Sequence, residues 1–319
     1  HSFPTRRSSD LVVFANGEFK LTQKIKFSES TSLFKWHHPG VRLVTNLKGF
    51  DWMGKHYMVS APGMAKKIRL YTHCMSLADE VRAHDRGLIQ RFHALITSDP
   101  KSSSNEIPAL PSSLDYIPLA VKLYPFASSF STIIHELPIG GKLNIEGPFG
   151  RGFCIPQHTP GTILLVAGGT GVFPFVDLLN LLLKKAMWTV LQKRGLDNSF
   201  IQPSQDYSRL LKDLKFVMCC SFRNFDDFVN LEQVRELHQI SEQHGLDLFK
   251  CFVRLDKDHE PFGLPSTKGY FNYDFFRKNF PELGELRHAY ICGPQGMHKQ
   301  VFNVLHKELS VPEAKISFV

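Results

Sequence analysis

The chain has 319 residues, of which 43% are hydrophobic and 21% are charged. This length suits two domains of about 150 residues each, and the composition excludes a disordered or fibrous chain. Lysine and arginine outnumber aspartate and glutamate by 38 to 30, a formal charge of +8, and no uninterrupted apolar run of about 20 residues predicts a membrane-spanning helix.

Residues 1–15 do not share the pattern of the rest of the chain. The opening HSFPTRRSSDL resembles translated sequencing-adapter sequence, so we exclude these residues from fold prediction as a non-native segment. Because residue 1 is not methionine, we expect any membrane attachment to lie in a native segment that precedes this sequence.

Short strands are predicted between Phe19 and about Gly152. Polar and apolar residues alternate over 20–27, and further strands are predicted over 32–36, 57–60 and 117–124. A helix over 76–96 precedes a Ser/Pro-rich loop over 99–114, and a short helix over 131–137 has Ser129 or Ser131 as its cap. The pattern predicts an antiparallel β-barrel domain over residues 16–156.

The pattern changes after about Pro160. Apolar strands over 163–167, 216–221, 249–255 and 289–292 alternate with helices over 175–183, 231–244 and 296–309. Such alternation predicts an α/β Rossmann-like domain with a parallel sheet over residues 160–319. No element is predicted over 188–213.

Two turns of this second domain are predicted to bind a nucleotide. Glycines let a ligand approach the backbone, and a helix N-terminus suits a pyrophosphate. The two turns should meet at the carboxyl edge of the sheet. For each, a purely structural role remains the alternative: a plain strand-to-helix turn, or a small buried cysteine. Their candidate binding residues are Gly168, Gly169, Thr170, Gly171 and Pro174 in the first turn and Cys292, Gly293, Pro294 and Met297 in the second.

A third motif lies in the first domain, in KIRLYTHC (67–74). Arg69 and Tyr71 would share one face of a strand, where an arginine can bind phosphate and a tyrosine ring can stack. Thr72 adds a hydroxyl group. An ordinary strand with an exposed arginine is the alternative.

Seven motifs in chain order resemble the ferredoxin–NADP reductase superfamily, most closely its cytochrome b5 reductase branch, from about Phe19 to Val319. Two positions depart from the family pattern: Ser128 replaces a glycine in the second flavin motif, and Leu70 replaces a proline. The segments 73–115 and 188–213 are longer than usual. The motifs are Gly54-Lys-His56, Arg69-Leu-Tyr-Thr72, Val121-Lys-Leu-Tyr124, Gly147-Pro-Phe-Gly150, Gly168-Gly-Thr-Gly171 with Pro174, Gly269-Tyr-Phe-Asn272, and Cys292-Gly-Pro294 with Met297.

The resemblance implies an FAD- and NAD(P)H-dependent reductase. Hydride would pass from the nicotinamide to the flavin, and single electrons would then pass to a haem protein such as cytochrome b5. Thr72 and Cys292 would lie at the reacting centre. The flavin would be held by Arg69, Tyr71, Thr72, Tyr124 and Ser131.

Nucleotide choice depends on the end of the strand over 216–221. Arg223 could bind a 2′-phosphate, whereas Asp226 and Asp227 would repel one. Following the branch that the chain resembles, NADH is favoured over NADPH.

Charge and cysteine usage suggest the partner and the compartment. The positive charge suits an acidic haem protein as acceptor, and the sequence shows no nucleic-acid-binding module. The six cysteines form no C-x-x-C pair and no zinc-site spacing, so we expect no metal site and a reducing compartment on the cytoplasmic side.

Two other functions stay open. One is the dehydrogenase module of a ferric reductase or NADPH-oxidase-type protein, although that group usually has H-P-F-[ST] in place of Arg69-Leu-Tyr-Thr. The other is a degenerate, non-catalytic nucleotide-binding domain, which the altered Ser128 position and the insertions would fit.

Overall fold

The computed structural model describes residues 15–45, 53–63, 67–97, 106–124, 129–155, 160–201, 213–223, 227–255, 263–267, 270–280 and 286–319. Within these ranges, an antiparallel six-stranded sheet is followed along the chain by a parallel six-stranded sheet with helices. This arrangement confirms the predicted fold class.

The first sheet curls into a barrel-like shape. Its strand order is β5-β4-β8-β1-β2-β7, and β5 and β7, at its opposite ends, contact each other. A separate pair joins β3 to β6. The strands are β1 (Ala15–Lys26), β2 (Thr31–His37), β3 (Leu43–Val44), β4 (His56–Ser60), β5 (Arg69–Thr72), β6 (Ser113–Leu114), β7 (Tyr116–Lys122) and β8 (Lys142–Phe149).

Alternating burial explains why these strands form a barrel. Phe19 and Leu21 of β1 are fully buried, whereas Lys20 between them is exposed. Leu143 and Ile145 of β8 are buried in the same way, and β8 pairs directly with β1. A strand with this period of two places one face in the core and the other in solvent.

Two helices accompany the barrel. The helix α1 (Asp79–Thr97) follows a short 3₁₀ turn over Met75–Leu77, and α2 (Phe130–Glu136) follows β7. Ser129 caps α2, because its hydroxyl oxygen accepts a hydrogen bond from the Thr132 N–H at 3.2 Å. Of the two predicted caps, the structure therefore selects Ser129 over Ser131.

The second sheet is parallel throughout, in the order β12-β11-β10-β9-β13-β14. A 3₁₀ segment, Gly169–Phe175, leads from β9 into α3. The strands are β9 (Gly161–Gly168), β10 (Leu214–Phe222), β11 (Phe249–Leu255), β12 (Ser266–Thr267), β13 (Leu286–Cys292) and β14 (Ile316–Phe318). The helices are α3 (Val176–Lys193), α4 (Leu231–Gln243), α5 (Tyr273–Asn279) and α6 (Gln295–Phe302), the last continued by a π-helical turn over Asn303–Glu308.

The predicted end of α3 at residue 183 is wrong. Its apolar face continues through Ala186, Met187, Val190 and Leu191, which are all buried, so the helix runs on to Lys193. Part of the segment without a predicted element is therefore helix. Residues 202–212 lie outside the described ranges.

A buried polar network joins α3 to the segment that begins α1. The Asp177 carboxylate accepts hydrogen bonds from the backbone N–H of Met75 at 3.2 Å and of Ser76 at 2.7 Å. The Asn180 side-chain amide donates to Ser76 Oγ and to an Asp85 carboxylate oxygen. These contacts join α3 of the second domain to the 3₁₀ turn and to α1, which lie within the longer segment 73–115.

Candidate functional site

One cleft of about 1720 Å³ lies between the barrel and the carboxyl edge of the parallel sheet. Its walls are formed by β5, the end of β7, the start of α2, and the ends of β9, β10, β11 and β13. The structure brings all the predicted site residues into this cleft. They are Arg69, Tyr71, Thr72, Tyr124, Ser131, Gly168, Gly169, Thr170, Gly171, Pro174, Arg223, Cys292, Gly293, Pro294 and Met297.

The strand β5 supplies the barrel side of the cleft. Arg69 is exposed, and its guanidinium Nη1 donates to the Ile68 carbonyl oxygen at 3.1 Å. Tyr71 is half-buried, and its ring centroid lies 6.4 Å from that of Phe130 at the start of α2. Burial raises the pKa of Tyr71, so its ring is a neutral, flat surface at ordinary pH.

Ser131 orders the chain between β7 and α2. Its hydroxyl oxygen accepts a hydrogen bond from the Tyr124 N–H at 3.2 Å and lies 2.9 Å from the Ser129 hydroxyl. Ser131 is buried, whereas the Tyr124 side chain is exposed to the cleft. Ser131 therefore positions the backbone that carries Tyr124.

Glycine is required where the two nucleotide turns pack together. A Cβ atom on Gly171 would lie 2.0 Å from the Cys292 carbonyl oxygen, and one on Gly293 would lie 2.6 Å from Met297 Cε. Gly169 differs, because it has a φ of +54° and no described atom lies within 4 Å of the position of its Cβ. Its backbone thus faces open space in the cleft, where a ligand can approach it.

Cys292 is half-buried at the end of β13, the strand next to β9. Burial raises the pKa of its thiol to about 12. The thiol therefore stays protonated at neutral pH, and since the thiolate is the reactive species, Cys292 is not an activated nucleophile.

A pair of hydroxyl groups forms one of the contacts between the two sides of the cleft. The Tyr124 hydroxyl lies 3.3 Å from Thr170 Oγ1, so the end of β7 meets the glycine-rich turn after β9. The sequence places these two residues in different domains, and the resemblance assigns Tyr124 to the flavin and Thr170 to the nicotinamide nucleotide. The structure makes them neighbours.

The sequence did not identify Arg254 and Tyr270, which also line the cleft. Arg254 is the second-last residue of β11, a strand that was predicted, so the rule that ligands bind at the carboxyl edge of a parallel sheet would have found it. Tyr270 lies within the Gly269-Tyr-Phe-Asn272 motif, and that motif was the signal that could have found it. Ser128, Asp226 and Gly269 lie outside the described residues.

The Asp227 carboxylate contacts residues of the barrel, although Asp227 follows β10 of the parallel sheet in the chain. Its carboxylate lies 2.8 Å from Lys122 Nζ of β7 and accepts a hydrogen bond from the Ser30 hydroxyl at 3.0 Å. Asn272, of the G-x-x-N motif, caps α5 by accepting a hydrogen bond from the Phe275 N–H at 2.9 Å.

In the described ranges, no three His, Cys, Asp or Glu side chains come together as a possible metal site. No helix in that part of the chain combines the length and the apolar character needed to span a membrane.

Comparison with known proteins finds similarity to oxidoreductases in the second half of the chain. Residues 165–302 match the family described as oxidoreductase NAD-binding domain. NADH-cytochrome b5 reductase 2 of Neurospora crassa is 29% identical to the chain over 189 residues, which cover 58% of the chain and 45% of the relative. The chain spans about half the length of the first curated relatives that it matches.

Two solved structures share the whole two-domain fold. The cytochrome b5 reductase domain of Ulva prolifera nitrate reductase is 18% identical with a TM-score of 0.58, and the match covers 95% of this chain and 97% of that one. A ferredoxin NADP+ reductase from Neisseria gonorrhoeae with bound FAD and NADP is 12% identical with a TM-score of 0.56, again over 95% and 97% of the two chains.

Proposed function

From the ferredoxin–NADP reductase-type fold and its oxidoreductase NAD-binding domain, we propose that the chain is a flavin-dependent reductase that oxidises NAD(P)H. The observation that carries this proposal is the single cleft into which both groups of predicted binding residues converge, at the contact between Tyr124 and Thr170. Its 1720 Å³ exceeds the roughly 300–1,000 Å³ of an ordinary ligand pocket, and two dinucleotides need more room than one.

The residues present fit a flavin on the barrel side. Arg69 is exposed, lines the cleft and suits bidentate binding of a diphosphate. Tyr71 offers a neutral ring to stack against an isoalloxazine, and Thr72 follows it at the end of β5 with a hydroxyl group for the flavin edge. Tyr124, held by Ser131, completes this wall.

The residues on the sheet side fit a nicotinamide dinucleotide. The open backbone at Gly169 and the hydroxyl of Thr170 suit its pyrophosphate. Cys292 and Gly293 end β13 beside this turn and would orient the nicotinamide, with the thiol kept protonated by burial. When bound, the two cofactors supply hydride transfer and one-electron transfer, and the protein supplies orientation.

The electron acceptor in this proposal is an acidic haem protein of the cytochrome b5 type. The matched relatives are named cytochrome b5 reductases, and the chain carries a formal charge of +8. The names of those relatives also include NADH, the nucleotide that the resemblance favours. The nicotinamide half is the same in NADH and NADPH, so the proposed reaction does not depend on the choice. Six free thiols agree with a reducing compartment.

An absorption spectrum of the purified protein tests the proposal. We expect a yellow protein with flavin bands that bleach when NADH or NADPH is added without oxygen. A yellow protein that neither nucleotide bleaches would indicate a non-catalytic flavin-binding chain. A colourless protein that takes up no added FAD would contradict the proposal as a whole.

A further inference from the structure

Three apolar residues share the outer face of the pair formed by β4 and β5. Tyr57 and Val59 of β4 are fully buried in the barrel, so the side chain of Met58 between them points outward. Leu70 of β5 pairs directly with Met58, and cross-strand partners lie on the same face of a sheet. Ile68 precedes Leu70 by two residues, the spacing of side chains that share a strand face. Met58, Ile68 and Leu70 together form the apolar strip.

The apolar strip is open to solvent. The exposed fraction is 59% for Leu70 and 48% for Ile68, and Met58 is half-buried. Isolated exposed apolar residues are common on protein surfaces and need no explanation. Adjoining ones with a polar rim instead mark sites of interaction. The strip therefore has the character of a contact surface.

The apolar strip leads to the flavin wall of the cleft. Thr72 follows Leu70 by two residues on β5 and pairs with His56, and all three line the cleft. At about 3.3 Å per residue, Leu70 is roughly 7 Å and Ile68 roughly 13 Å from Thr72 along the chain. Ile68 is not among the residues that line the cleft. A protein bound to the strip thus lies beside the proposed flavin position without entering the cleft.

The rim of the apolar strip is charged. Lys67 and Arg69 flank Ile68 in the chain, and both are exposed. Glu146 of β8, also exposed, pairs with Met58 from the other side of β4. Two cations and one carboxylate therefore surround the strip. An apolar centre with a polar rim is the usual anatomy of a protein–protein interface, and the excess of cations suits an acidic partner.

We propose that the apolar strip is the surface on which the electron acceptor docks, and that this acceptor is an acidic protein with its redox centre near its surface. The inference rests on the proposed function, which requires such a partner to approach the flavin. Electron-transfer contacts are small, so a few apolar side chains suffice. A second copy of this chain fits less well, because Lys67 and Arg69 would face their own equivalents in a symmetric contact. A membrane also fits less well, since three side chains bury too little apolar surface to hold a protein on lipid.

Steady-state reduction of a soluble cytochrome b5 haem domain by the flavin-loaded protein tests the strip, with a small neutral quinone as an acceptor that needs no docking surface. Ile68→Ser should raise KM for the cytochrome roughly tenfold and leave kcat and the quinone rate within about twofold, because it removes apolar burial from the complex alone. Met58→Gln, of similar size, should raise KM by roughly threefold, since Met58 is already half-buried. Ile139→Ser is the matched control, because Ile139 is 59% exposed on the turn after α2 and does not line the cleft.

Salt dependence separates apolar docking from charge steering. Ile68→Ser removes no charge, so kcat/KM for the cytochrome should fall with ionic strength as steeply as in the unaltered protein, whereas Lys67→Gln should flatten this dependence.

Several outcomes would overturn the docking surface and leave the proposed function in place. They are an unchanged KM in Ile68→Ser, an equal rise in Ile139→Ser, and quinone reduction by the unaltered protein without any cytochrome reduction. If Ile68→Ser instead abolished a dimer in sedimentation, or binding to vesicles of phosphatidylcholine and phosphatidylserine, with KM unchanged, the strip would belong to a second copy or to a membrane. If the protein reduced neither acceptor with NADH or NADPH, the proposed function itself would fall, and this inference with it.

Discussion

At the residue scale, retention of the flavin should depend on Arg69. Arg69→Ala should purify with little FAD, because the variant lacks the bidentate donor to the diphosphate. The fold should survive, since Arg69 is exposed and the hydrogen bond it makes reaches only its neighbour Ile68. The ratio of flavin to protein absorbance measures the effect, with the nearby exposed Lys67→Ala as control. Full flavin occupancy in Arg69→Ala would show that the flavin does not bind where we propose.

A second test at this scale asks whether Cys292 positions the nicotinamide or has another role. Cys292→Ser should keep FAD but slow its reduction in stopped flow by roughly 10- to 100-fold, because small misplacements of reacting atoms are costly. Cys154→Ser, another half-buried thiol that does not line the cleft, should reduce at the normal rate. Unchanged kinetics in Cys292→Ser would exclude the positioning role, whereas loss of FAD would indicate a structural one.

At the element scale, α1 and the 3₁₀ turn before it pack the two halves of the chain together. Its start is held by the buried Asp177 carboxylate of α3, which is 4% exposed. Farther along, His93 Nε2 lies 2.8 Å from a Glu236 carboxylate oxygen of α4. This part of the longer segment therefore has a structural role.

Asp177→Asn tests this role. The new amide cannot accept both backbone hydrogen bonds without turning its NH₂ toward an N–H donor, so we expect a loss of about 1–3 kcal/mol in unfolding free energy. Urea unfolding followed by circular dichroism measures the change. Asp274→Asn, on the exposed first turn of α5, should stay within about 0.5 kcal/mol of the unaltered protein. Equal urea-unfolding midpoints for the two variants would show that the Asp177 carboxylate does not stabilise the contact between the two halves.

At the scale of the whole molecule, the surplus of eight positive charges should govern the encounter with the acceptor. Electron transfer to an acidic cytochrome should slow steeply as salt rises, because complementary charge speeds association and is screened over about 10 Å at 0.1 M. Reduction of a small neutral quinone should barely respond. Steady-state rates for both acceptors over a salt series measure the difference. Equal responses would show that the basic residues do not steer the partner, and reduction of ferric chelates without any cytochrome reduction would favour a ferric reductase.

The sequence by itself determined the fold class and most elements near the site. Period-two alternation identified β1, continuous apolar runs identified β9 to β11, and glycines in sequence marked the nucleotide turns. These features are local, since a strand's pattern or a turn's need for glycine is written in adjacent residues. The family resemblance then named most of the predicted binding residues, all of which line the cleft.

Only the tertiary structure decided which of those residues meet, and which charges are available to a ligand. Asp227 was predicted to repel a 2′-phosphate, yet Lys122, more than a hundred positions earlier in the chain, holds it against the barrel. Arg254 and Ser221 become neighbours only through the pairing of β10 with β11. Contacts of this kind join residues that are distant in sequence, and the register of the sheet and the packing of one domain on the other create them, so no local pattern could have predicted them.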